Sequence, residues 1–117
     1  MFIETKRVLS ILALTAVAAM GFAGCGADLG SCPTDSTAAA QKTAGNEVIN
    51  KQCATAGCHS SANGGNPAAG LEFSSSSSHK AHAVEMYSEA SGGAMPPTGA
   101  LSDTDLEAMR VYLACTQ

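Results

Sequence analysis

Cys53-Ala54-Thr55-Ala56-Gly57-Cys58-His59 carries more chemistry than any other stretch of this 117-residue chain. Two thiols stand with four residues between them, and an imidazole directly follows the second. Outside it lie three other cysteines, Cys25, Cys32 and Cys115, and two other histidines, His79 and His82. A thiol pair can close a disulfide, hold a metal or bond covalently to a cofactor, and the compartment narrows the choice.

The N-terminus sets that compartment. Lys6 and Arg7 are followed by Val8 to Ala23, which is apolar apart from Ser10, Thr15 and Gly21, and the run ends at Phe22-Ala23-Gly24-Cys25. This layout reads as a secretory signal over 1–24, too short for a transmembrane helix. The small residues before Cys25 resemble a bacterial lipobox, with Phe22 where that motif usually has Leu. The resemblance implies cleavage before Cys25 and lipidation of its thiol, anchoring the chain to the membrane. Gly26 stands where Asp would mark inner-membrane retention, which favours the outer membrane. An ordinary signal cut nearby would leave Cys25 as a plain thiol. Either cut exports the chain, so disulfides can persist.

Residues 25–117 form a 93-residue chain with four basic and nine acidic side chains, a net charge of −5. That charge argues against binding a nucleic-acid backbone. Leu, Ile, Val and Phe number only ten in those 93 residues, about 11%, against the roughly 20% expected of a chain that builds its own core. Such a chain is either disordered or built around something it does not encode.

The pattern along the chain is all-α, with about three short helices, long loops, and neither strand alternation nor repeats. Residues 25–43, rich in Ala, Ser, Thr and Gly, read as a flexible tether, leaving 44–117 as the domain. Ala44 to Gln52 is the first helical pattern, with Val48 and Ile49 as its apolar pair. Gly, Asn, Pro and Ser break regular structure from Ser60 to Gly70. Ser74 to Ser78 reads as an exposed loop or a loose helix entry. His79 to Ala90 is helical, with Ala83, Met86, Tyr87 and Ala90 on one side. Ser91-Gly92-Gly93 ends it, and Met95-Pro96-Pro97-Thr98-Gly99 is an extended loop. Ser102 then caps a last helix carrying Leu106, Met109, Tyr112 and Leu113 at helical spacing.

A cysteine pair ending in Cys-His is the attachment signature of c-type haem. Two thiols add to the vinyl groups of the macrocycle and the adjacent imidazole reaches the iron. Two intervening residues are usual; four are a rarer variant. Gly45 to Cys53 resembles the first helix of class I cytochromes c. Gly92-Gly93-Ala94-Met95-Pro96-Pro97, followed by Leu101-Ser102-Asp103 and Leu106 to Leu113, resembles their methionine loop and terminal helix. The resemblance covers residues 44–116. It implies one covalent haem c per chain, with thioethers at Cys53 and Cys58, His59 as proximal ligand and Met95 as distal ligand. It further implies that the Pro67 carbonyl receives the imidazole proton, and that Gly45 and Tyr112 meet where the first and last helices cross. With Cys53 and Cys58 on the haem, Cys32 and Cys115 remain for a disulfide; in the alternative partition Cys53 pairs with Cys115 and strands Cys32.

Haem would also explain the missing core, with Leu71, Phe73, Leu101, Leu106, Met109 and Tyr112 touching it or closing over it. The expected function is electron transfer without catalysis, by a monomer that passes electrons between periplasmic redox proteins. Three other readings stay open. His79, His82, Met86 and Met95 could bind copper or another transition metal, although solvent-facing roles for His79 and His82 and a packing role for Met86 are the simpler expectation. Cys53, Cys58, His59 and a later histidine could hold zinc. Lastly, a disulfide-held interaction module would need no cofactor.

Overall fold

The computed structural model describes residues 27–62 and 65–117, so the expected signal over 1–24 and Cys25 lie outside the described residues. The regular elements are α1 (Ala38–Gln52), a 3-10 turn (Ala68–Gly70), α2 (Ser76–Ala81), α3 (Ala83–Ser91) and α4 (Asp103–Cys115). An isolated bridge between Ala56 and Ser60 is the only β pairing among the described residues. The chain is all-α, as its sequence pattern implies. None of the described helices is long and apolar enough to cross a membrane.

The crossing of α1 and α4 organises the domain. Gly45, Val48 and Ile49 are the buried residues of α1, spaced so that they share one helical face. The buried residues of α4 are Ala108, Met109, Val111, Tyr112 and Leu113. At Gly45 the helices approach so closely that an added Cβ would lie 2.6 Å from the Tyr112 Cβ, and closer still to the Ala108 carbonyl oxygen. Only glycine fits there. Ser102 caps α4, its hydroxyl accepting the Asp105 N–H at 3.1 Å. Asp103 and Asp105 lie in the first turn, where the helix dipole favours negative charge.

The segment before residue 44 is not a free tether. α1 begins at Ala38 rather than Ala44, because an alanine run has the highest helix propensity even without an apolar stripe. Upstream, Leu29 is buried within the core. Its carbonyl accepts from Arg110 Nη1 at 2.5 Å, and Glu107 holds the same guanidinium with contacts of 2.7 and 2.8 Å. Cys32 and Cys115 form a disulfide across 83 positions. Closing a loop of that size stabilises the fold by about 4 kcal/mol through chain entropy. Residues 27–37 are thus a strap across α4.

The expected 79–90 helix is two helices, giving four α-helices among the described residues. α2 starts earlier, capped by Ser75, whose hydroxyl accepts the Ser78 N–H at 3.3 Å. His82, with φ −116° and ψ 17°, leaves the helical region and separates α2 from α3. α3 buries Ala83, Met86 and Ala90, the packing role expected of Met86. His79 does not face solvent: it is only 2% exposed.

Candidate functional site

The Cys53–His59 loop grows directly out of the end of α1. Cys53 caps the helix, its N–H donating to Ile49 at 2.9 Å. The chain then folds back, so that Cys58 N–H reaches Thr55 O and His59 N–H reaches Cys53 O, each at 3.0 Å. Gly57, at φ +83°, makes the left-handed turn that lets four residues fit between the thiols. Cys53 and Cys58 are unpaired and half-buried. Burial pushes the Cys53 thiol up, and neighbouring Cys58 adds to the shift.

The Nδ1 of His59 lies 3.1 Å from the Leu71 carbonyl oxygen. A carbonyl only accepts, so Nδ1 carries the proton and Nε2 keeps its lone pair, the tautomer that can ligate a metal. The expected partner, Pro67, is corrected here. Its carbonyl accepts the Gly70 N–H at 3.0 Å, closing the 3-10 turn that returns Leu71 to the imidazole. The His59 and Phe73 rings pack with centroids 4.6 Å apart and planes tilted by 36°, and Phe73 N–H donates to His59 O at 2.7 Å.

A carboxylate clasp fixes this returning segment. Glu72 accepts the N–H of Ser61 at 2.5 Å, the N–H of Ser74 at 3.1 Å and the Ser74 hydroxyl. These hydrogen bonds, from Ser74 first and then Ser61, hold its pKa at about 2, below the usual carboxylate range.

Cys53, Cys58, His59, Leu71 and Phe73 line one cleft together with Met86, Ala90 and Met109 from the helices and Met95, Pro96 and Pro97 from the loop after α3. Its volume is about 310 Å³, at the lower end of the roughly 300–1,000 Å³ typical of small-molecule and cofactor sites. Met95 is 39% exposed, and its N–H donates to Glu89 O at 3.2 Å. Of the residues expected around a haem, Leu71, Phe73 and Met109 line the cleft. Leu101 and Leu106 instead pack against the core, and Tyr112 hydrogen-bonds His79. Met86 and Ala90, one turn apart on α3, also line the cleft, beyond the packed helix face on which their spacing places them.

The donor set fits a c-type haem: two unpaired thiols, an imidazole in the ligating tautomer and a thioether share one mainly apolar cleft. It does not fit the other metal readings. His79 uses Nδ1 on the Tyr112 hydroxyl at 2.8 Å and Nε2 on the Phe73 carbonyl at 2.5 Å, and neither it nor His82 lines the cleft that holds Met86 and Met95. The proposed copper set is therefore not assembled. Among the described residues no cluster of three or more His, Cys, Asp or Glu could hold a metal ion, which also removes the zinc reading.

Fold and cleft together define a c-type cytochrome domain. Residues 40–113 match the family model described as cytochrome C oxidase, cbb3-type, subunit III, and the chain belongs to that family. Haem c binding and electron transfer are the work of such domains. Among curated proteins and solved structures, none matches the chain.

Proposed function

We propose that this chain is a lipid-anchored electron carrier on the periplasmic face of the cell envelope, holding one covalent haem with His/Met ligation. The observation that carries the reading is the convergence of Cys53, Cys58, His59 and Met95 on one cleft. Cys53 and Cys58 would form the thioethers, His59 Nε2 would bind the iron, and Met95 would take the sixth position. When bound, haem supplies an iron that accepts and releases one electron. The chain supplies the rest. The Leu71 carbonyl orients the imidazole and raises its basicity. Thioether ligation and the apolar walls favour a higher potential than bis-histidine ligation or a wet site would give.

With Met95 as ligand the iron would have no open position for a substrate, which supports electron transfer without catalysis. Cys25 would carry the lipid, in the outer membrane, and the domain would work as a monomer. The excess of acidic side chains, with Glu85 and Glu89 beside the cleft, suits redox partners that present a basic rim.

The visible spectrum of the purified protein tests this directly. A Soret band that stays with the polypeptide through acid-acetone extraction is expected, and its absence defeats the reading. Met95→Ala is expected to change the spectrum and lower the potential. An unchanged spectrum and potential would remove Met95 as ligand.

A further inference from the structure

His79 is a polar residue in the core that electron transfer does not itself require. It is 2% exposed, yet both ring nitrogens are satisfied. Nε2 lies 2.5 Å from the Phe73 carbonyl oxygen and Nδ1 lies 2.8 Å from the Tyr112 hydroxyl. Because the carbonyl only accepts, Nε2 carries the proton, and in the neutral ring Nδ1 accepts from Tyr112. Two anchors of the fold meet at this imidazole. Tyr112 packs against Gly45 at the α1–α4 crossing. Phe73 packs against His59 and bonds its backbone, while Leu71, two residues earlier, supplies the carbonyl on His59 Nδ1.

We propose that His79 is a positioning residue for His59: by pinning the Phe73 carbonyl to Tyr112 on α4, it holds the Leu71 carbonyl against His59 Nδ1. The inference rests on the haem reading above. A firm Leu71–His59 hydrogen bond makes the imidazole a stronger donor to iron and favours the oxidised state. Slackening that bond therefore raises the midpoint potential and exposes the Nδ1 proton to exchange. Leucine at position 79 would fill the space but leave the Phe73 carbonyl and the Tyr112 hydroxyl unpaired. Glutamine can still donate to the carbonyl.

The test uses the haem-loaded protein, with midpoint potential and the exchange rate of the His59 Nδ1 proton in the reduced state as readouts. His79→Leu is expected to raise the potential and to speed exchange by about tenfold, the factor that ~1.4 kcal/mol gives. His79→Gln should recover most of both shifts, and Tyr112→Phe should move both in the same direction by less. Val111→Ala, which trims a fully buried residue of α4 outside this chain of contacts, should lower stability and leave both readouts in place. Native readouts in both His79→Leu and Tyr112→Phe would overturn the proposal. So would a shift in Val111→Ala equal to that in His79→Leu, since His79 would then be core packing only. If His79→Leu does not mature, Tyr112→Phe decides alone, because it removes one hydroxyl and keeps the ring. A wild-type protein without covalent haem defeats the underlying reading instead, a result seen before any variant is compared.

Discussion

The α1–α4 crossing and the cleft beside it are built from one short chain in opposite ways. At the crossing the chain closes on itself: Ile49 and Leu113 are fully buried, and Gly45 leaves no room for a methyl group. The cleft is walled by two loops held by backbone hydrogen bonds and by Met86, Ala90 and Met109 from the helices, and Met95 stands 39% exposed at its edge. The difference locates the shortage of large aliphatic residues. Val48, Ile49 and Leu113, from a supply of ten in residues 25–117, pack together in the core at the crossing. Little remains for the cleft, which must be filled by something other than side chains. The proposed haem, a flat apolar macrocycle, would meet that need.

The comparison breaks most directly if the cofactor is denied. Cys53→Ala with Cys58→Ala is expected to abolish both the colour and the cooperative unfolding transition, because crossing and strap alone bury too little apolar surface. Circular dichroism with urea titration is the measurement. A sharp native-like transition in the colourless variant would show that the cleft walls stand without a filling.

The crossing itself is the next target. Gly45→Val forces α1 and α4 apart at a contact that already excludes a Cβ, and overpacking of this kind costs about 3 kcal/mol or more. Denaturant midpoints of the haem-loaded protein would reveal it. A variant of native stability would mean that the helices can separate freely, and that the crossing is no more rigid than the cleft.

The strap gives a smaller effect. Removing the disulfide with Cys32→Ser and Cys115→Ser is expected to lower stability by roughly 2–4 kcal/mol while leaving spectrum and potential unchanged. Its cost falls on the closed half of the molecule, where Leu29 and Arg110 join the same strap. A shift in potential would tie the strap to the cleft instead.

How much of this was legible in the sequence follows the same division. The Ser102 cap and the apolar spacing of α4 are properties of residue type and interval, and they read correctly; the close pair of Gly45 and Tyr112 came from the family resemblance and is present. Cys53, Cys58, His59 and Met95, singled out by the Cys-His motif and the family resemblance, line one cleft. Contacts made by backbone were not legible. A carbonyl carries no residue signature, so the partner of His59 was expected at Pro67 and is Leu71. Alanine at 38–40 supports a helix through propensity and leaves no periodic trace, so the start of α1 was missed. His79 looked like a surface residue among serines. Its burial depends on Tyr112 and the Phe73 carbonyl, partners supplied by the fold.

The smallest expected effect concerns the Glu72 clasp, which ties the segment returning to His59 to Ser61 and Ser74. The carboxylate is held at about 2 in the folded protein, against an ordinary value of 4.5, mainly by the Ser74 hydroxyl and then by Ser61. A group whose pKa falls on folding stabilises the native state while it is ionised. That contribution is complete above the unfolded value and disappears as pH drops from about 4.5 to about 2. Glu72→Gln should therefore be slightly less stable than the native protein near neutrality, and the difference should vanish over that acid window. The effect is small because the carboxylate is exposed and water competes for each hydrogen bond. Stability measured against pH for the two proteins checks this: a gap that stays constant through the acid range would mean that the side chain acts by shape and not by charge. If the potential of the variant also moves, the clasp and His79 both steady the Leu71 carbonyl, and the cleft is then more tightly built than its exposed rim implies.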